Sequence, residues 1–131
     1  METTATKWLL DTSILVDLLR GHQPARHWID SIPAPDRFVS VATVAELIAG
    51  CHNSAEQRVV ERETALYEIL WLGERASQSA LEFYKRFYLS HGVGFLDCLI
   101  AATALVDGCR VATLNLRHFG PFPGLQAERP Y

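Results

Sequence analysis

The apolar positions of the chain come in short blocks, each cut off by glycine, proline or a cluster of charge. Lys7 to Asp11 (KWLLD) is an apolar run that ends on an acid; it is too short for a helix and fits a buried strand. Thr12 and Ser13 supply N-cap chemistry for a helix over Ile14 to Arg20, which Gly21 stops. A short helix over Pro24 to Ser31 carries its proline in the first turn, and Pro33 and Pro35 break it. Arg37 to Val41 (RFVSV), β-branched and aromatic, forms a second strand. Thr43 to Cys51 (TVAELIAGC) is helical in pattern. Ser54 to Ile69 interleaves charges with Val59, Val60, Leu66 and Tyr67 as an amphipathic helix, and Leu70 to Leu72 makes a short strand before Gly73. Arg75 to Leu89 sets Ala76, Ala80, Phe83, Tyr84, Phe87 and Tyr88 on one face at helical spacing. Leu96 to Val106 (LDCLIAATALV) is almost wholly apolar, a helix buried on most sides and ended by Asp107-Gly108. Arg110 to Thr113 is a further strand, Asn115 to His118 a polar turn, and Gly120 to Gly124 opens a proline- and glycine-rich tail. Strands that alternate with helices need crossover connections, so the pattern predicts a mainly parallel sheet with helices on both faces.

Composition narrows the class. A chain of 131 residues has room for one domain, and 49% hydrophobic against 21% charged residues is enough to bury a core. Twelve Lys and Arg against fifteen Asp and Glu give a net charge of −3, so the chain does not coat nucleic acid by charge alone. A local basic rim beside an acidic site stays compatible with that total. The three cysteines, Cys51, Cys98 and Cys109, are odd in number and hold no CxxC pair, which argues against a disulfide framework and against a zinc site. The polar stretch from Met1 to Lys7 lacks a signal-peptide layout, and no apolar run is long enough to span a membrane. The expectation is a reduced, soluble, cytoplasmic protein.

In an open parallel sheet, ligands bind beyond the carboxyl ends of the strands, near the point where strand order reverses. Asp11 ends the first strand, Glu46 lies one turn into the helix after the second, Asp97 is in the first turn of the apolar helix, and Asn115 follows the last strand. Converging carboxylates repel one another unless a cation neutralises them, and an all-oxygen donor set suits Mg²⁺ or Mn²⁺. Each residue also has a plainer role open to it. Asp11 could cap the following helix, although Thr12 and Ser13 can do so. Thr43-Val44-Ala45-Glu46 matches a T-x-x-E capping box. Asp97, the one charge between Gly92 and Val106, could simply favour a positive helix N-terminus, and Asn115 fits a turn. The pairs Arg26-His27 and Arg117-His118 could touch phosphates or be ordinary surface. The chain has no Walker-type loop, no GxGxxG, no GxSxG and no zinc-spaced histidines. A phosphohydrolase working through an aspartyl-phosphate would want a second Asp two residues after Asp11, and position 13 is Ser.

Four segments in order, LLDTSILVDLL, SVATVAELIAG, GFLDCLIAATAL and VATLNLRHF, resemble the PIN-domain ribonucleases, most closely the VapC-type toxins of type II toxin–antitoxin pairs. The resemblance covers nearly the whole chain, and it implies a single PIN domain over residues 1–131. The implied fold is a three-layer α/β sandwich around a five-stranded parallel sheet in the order 3-2-1-4-5. The implied activity is a Mg²⁺- or Mn²⁺-dependent endoribonuclease that cuts particular structured RNAs, such as tRNA or ribosomal RNA, and so inhibits translation. Asp11, Glu46 and Asp97 match the family's three metal-binding acids. Asn115 matches a fourth position where the family often has Asp, leaving this site one negative charge fewer. Thr12, Ser13 and Thr113 match small polar residues that support the site. Implied partners are a cognate antitoxin, whose helix occupies a groove near the site, an RNA substrate and a second copy in a homodimer. The aromatic stripe of the Arg75–Leu89 helix, together with Trp28, is expected to contribute an exposed interaction surface. The rival reading is a non-catalytic RNA-binding module on the same fold; the presence of all three acids disfavours it.

Overall fold

The structure is a computed structural model that describes residues 5–131; the first four residues of the polar amino-terminal stretch lie outside it. Five strands form one parallel sheet in the order β3-β2-β1-β4-β5: β1 Trp8–Leu10, β2 Arg37–Ser40, β3 Glu68–Leu70, β4 Arg110–Ala112 and β5 Ala127–Glu128. Each strand is only two to four residues long, so its side chains decide the packing directly. Register aligns Leu9 with Phe38 and Val111 on one face, and Leu10 with Val39 and Ala112 on the other. Alternation along a strand therefore supplies two separate cores. The first core packs the sheet against α5 (Glu74–His91) and α6 (Phe95–Asp107), with Phe119 and Phe122. The second packs it against α1 (Thr12–Leu19) and α2 (Gln23–Asp30), together with Leu47 from α3 (Val41–Ala49) and Val60 from α4 (Ser54–Thr64). The expected three-layer α/β sandwich is the observed one.

The helices follow their sequence signals closely. The α6 face is buried from Cys98 through Ala104, as an almost charge-free run requires. Gly92 closes α5 with φ 62°, a left-handed conformation that costs glycine nothing, and the Gly92–Gly94 link turns the chain straight into α6. Asp107-Gly108 ends α6 as expected, with Gly108 at φ 68°.

Three local expectations are corrected. The amphipathic α4 ends at Thr64 and not at Ile69, and β3 runs over Glu68–Leu70, two residues earlier than Leu70–Leu72. The apolar residues that looked like one helical stripe are divided between two elements: Val60 faces the core from α4, whereas Ile69 pairs with Val39 in the sheet. The polar turn at Asn115–His118 is the start of a four-residue helix, α7 (Leu116–Phe119), and the tail contains β5. Neither is long enough to display a period. The strand β5 is held instead by pairing with β4 and by an Arg110–Glu128 ion pair at 2.5 Å. Thirdly, Trp28 does not join the α5 stripe. It lies across the sheet, edge-on to Trp8 with ring centroids 5.3 Å apart, and only half-buried Phe83 and Tyr84 and exposed Tyr88 keep the stripe partly open.

Candidate active site

Strand order reverses between β1 and β4, whose following connections run to opposite sides of the sheet, and that is where an open α/β sheet leaves a crevice. The residues directly after these two strands meet across it. Asp11, buried to 5% exposure, receives one hydrogen bond from the Thr113 hydroxyl and one from Ser13, each at 2.8 Å to Oδ2. Each hydroxyl is in turn fixed by a backbone donor: Leu114 N–H donates to Ser13 Oγ at 3.1 Å, and Asn115 N–H to Thr113 Oγ1 at 2.9 Å. Both hydroxyls thus donate once and accept once, leaving them no freedom to turn away from the carboxylate. Asp11 Oδ1 is left to the cleft.

The second acid comes from α3. Ser40 is its N-cap, its hydroxyl accepting from Ala42 N–H at 3.1 Å. Thr43 therefore lies inside the helix, fully buried, and the T-x-x-E capping box is not formed. Glu46, released from that role, accepts a hydrogen bond from the Thr12 hydroxyl at 2.6 Å; Thr12 also lies 3.3 Å from the Thr43 hydroxyl. The expected capping of α1 is likewise corrected. Asp11 holds the N-cap position through its backbone, while Thr12 and Ser13 are the first helical residues and spend their hydroxyls on Glu46 and Asp11.

Asp97 enters from the first turn of α6. Burial and the charges of Asp11 and Glu46 push its carboxyl up to about 6, against the opposing influence of His118, whose Nδ1 stands 3.5 Å from Asp97 Oδ2. Burial disfavours the charged form first, and the neighbouring carboxylates add to it. Asn115 lines the same cleft. Its side chain caps nothing in α7, so the turn role does not use its amide. Asp11, Thr12, Ser13, Glu46, Asp97 and Asn115 thus share one cleft of about 530 Å³, bordered by Val16, Phe95, Leu96 and His118. Thr113, fully buried, acts on it from below through Asp11. His118 is the one lining residue that the sequence marked only for phosphate contact; its place beside Asp97 depends on α7, which four residues do not announce. Arg26 is corrected: its guanidinium pairs with Glu63 at 2.6 Å between α2 and α4.

The donor set is all oxygen, with no cysteine and one imidazole at its edge. Among the described residues no three His, Cys, Asp or Glu side chains are drawn together tightly enough to enclose a metal by themselves. Asp11 Oδ2 and Glu46 Oε1 each accept hydroxyl hydrogen bonds. Such a set fits a hard cation that keeps several waters and takes one or two carboxylates directly, the habit of Mg²⁺ and Mn²⁺. Asp11, Asp97 and Glu46 are the residues that would hold it.

Beside the cleft runs a second hollow of about 650 Å³ between α1, α3 and α4, largely aliphatic through Val16, Leu19, Leu47 and Val59, and sharing Thr12 and Glu46 with the site. Among the described residues no helix is long and apolar enough to cross a membrane, and the three cysteines are free thiols.

Comparison with known proteins agrees with this architecture. The family model described as PIN domain matches residues 8–120. Ribonuclease VapC10 of Mycobacterium tuberculosis H37Rv is 38% identical over 120 residues, 90% of each chain. A chain of the DNA-bound VapBC from Salmonella typhimurium superposes with a TM-score of 0.83 at 26% identity, covering 94% of this chain and 97% of that one. A chain of a toxin–antitoxin complex from Klebsiella pneumoniae gives a TM-score of 0.77 at 22% identity over 98% of both.

Proposed function

The chain belongs to the PIN-domain family, among ribonucleases of the VapC type, and from that premise we propose that it is a Mg²⁺- or Mn²⁺-dependent endoribonuclease, the toxin of a type II toxin–antitoxin pair. The observation that carries this reading is the meeting of three carboxylates and Asn115 in one cleft at the sheet's reversal point. Burial first, and then the charges of Asp11 and Glu46, raise the Asp97 carboxyl there.

In this reading Asp11 and Asp97 bind the cation, and Ser13 and Thr113 keep the Asp11 carboxylate aimed into the cleft. When bound, such a cation lowers the pKa of a water and offsets charge on the departing oxygen. Glu46, held by Thr12, orients the attacking water and takes its proton. The Asn115 amide orients a water or a phosphate oxygen. Water adds to phosphorus in line, and the bond from phosphorus to the 3′ oxygen breaks. With Asn in place of a fourth acid, the cleft offers a second cation one negative charge fewer. The substrates are particular structured RNAs, such as tRNA or ribosomal RNA, whose loss halts translation in the cytoplasm; RNA of that kind is read through shape and unpaired loops. Residues 1–131 work as a single unit. A cognate antitoxin lays an apolar helix in the hollow between α1, α3 and α4, where its next residues meet Glu46. A second copy covers apolar side chains of α5 that the fold leaves in water, Leu89 at 93% and Tyr88 at 50% exposure.

The test is incubation of total RNA with the protein in Mg²⁺ or Mn²⁺. Discrete cuts that EDTA suppresses are expected; intact RNA in both metals, or cuts indifferent to EDTA, would contradict the reading.

A further inference from the structure

The acidic cleft opens on its Asp97 side into a further hollow of about 600 Å³, and the two share Gly94, Asp97 and His118. Its other lining includes His91, from the last turn of α5, and Arg117, from α7. The nitrogen donors thus come from the ends of two elements that are distant in sequence and meet at one wall. Arg117 is exposed and takes part in no ion pair among the described residues. The opposite flank differs: there Arg20 and His52 share the lining with Glu56 and a run of aliphatic side chains, and His52 Nδ1 is 3.3 Å from Glu56.

A strand of RNA faces a difficulty at this protein. The net charge is −3 and the reacting cleft is itself acidic, so neither draws a polyanion in. Phosphate contacts fix the register of a nucleic acid and supply most of its salt-dependent affinity, and they must come from cations beside the cleft. The geometry points to the hollow lined by Arg117, His91 and His118 as the seat of the phosphodiester next to the one that is cut, so that the substrate strand leaves the site past Asp97 and not over the apolar groove. Arg117 is the main donor, since a guanidinium offers a fork that matches two phosphate oxygens. His91 is the second. This inference rests on the ribonuclease reading for its substrate, and its test is separable from it.

The probe is a fluorescein-labelled single-stranded oligoribonucleotide of mixed sequence, bound in EDTA and followed by anisotropy from about 50 to 200 mM salt. Arg117→Ala is expected to weaken binding about tenfold, the worth of a charge-assisted contact, and to flatten the plot of log K against log salt by about 0.7, the loss of one phosphate. His91→Ala weakens it less, and Arg117→Lys recovers the slope but not the full affinity. Arg62→Ala, at a position that lines neither cavity, gives the size of a general charge effect. Wild-type slope and affinity in Arg117→Ala, or an equal loss in Arg62→Ala, would overturn the inference. Parallel cleavage of total RNA in Mg²⁺ separates the two claims. Arg117-dependent binding without cleavage keeps the phosphate seat and removes the ribonuclease reading. Cleavage with the Arg117→Ala slope unchanged does the reverse.

Discussion

Asp97 is held by α6 against two other acids, with a quarter of its side chain open to water and only His118 beside it as a possible counter-charge. Its carboxyl is raised from 3.8 to about 6, so across that window the folded protein keeps a proton that the unfolded chain has lost. Folding stability of the metal-free protein therefore falls as pH rises from about 4 to about 6, and the cost is fully present above that. Asp97→Asn removes the cost. We expect the variant to unfold at higher denaturant than wild type at pH 7 in EDTA, by about 1 kcal/mol, and to lose the pH dependence between 4 and 6. An Asn variant less stable than wild type would mean that Asp97 is paired and not crowded. Asn115 makes the complementary prediction. Asn115→Asp returns a charge to the cleft, so the Mn²⁺ concentration at half-maximal cleavage should fall several-fold; an unmoved midpoint would place the side chain outside the metal's reach.

Among the elements, α3 shows how local chemistry and site chemistry compete for the same residue. The sequence offers Glu46 a capping box with Thr43, a pairing that satisfies every local rule. The structure begins the helix three residues earlier, at Ser40, and Glu46 is left to reach across to Thr12 on α1. Ser40→Ala is accordingly expected to cost about 1 kcal/mol in urea unfolding, with Glu46→Ala near neutral or stabilising; an unaffected Ser40→Ala beside a destabilised Glu46→Ala would restore the capping box. The long elements were legible because their periodicity extends over several turns: α5 and α6 lie where the spacing put them, and so do β1, β2 and β4. The four-residue α7 and two-residue β5 were not, because their stability comes from Phe119 in the core and from the Arg110–Glu128 pair, neither of which is local. The five-strand order came from resemblance and not from hydropathy. At the site, the three acids and Asn115 were legible as acids and amides that follow strands. The clamp of Ser13 and Thr113 on Asp11, across 102 residues of chain, could be inferred only by analogy, since no spacing joins them.

For the molecule as a whole, two properties pull apart. The chain carries a small net negative charge, yet the proposed substrate is a polyanion, and the fold leaves Leu81, Tyr88, Leu89 and Phe95 substantially in water. The proposed homodimer would answer the second. Light scattering at micromolar concentration should give twice the 14.7 kDa of one chain, and Leu89→Glu should shift it toward monomer; a wild-type monomer would leave that face unexplained. In the proposed complex an antitoxin helix beside Glu46 would close the cleft to cation and RNA together. The central claim is that the acids meeting beyond β1 and β4 cut RNA. The most direct measurement compares wild type and Asp97→Asn on the same total RNA in Mg²⁺ or Mn²⁺, with the new ends sequenced and both proteins shown to be folded by circular dichroism. The account predicts a small set of reproducible cut sites with wild type and a loss of at least about a hundredfold in their yield with Asp97→Asn, the range for removing a group that acts on the reacting charge. The same cuts at undiminished yield in the variant would contradict it.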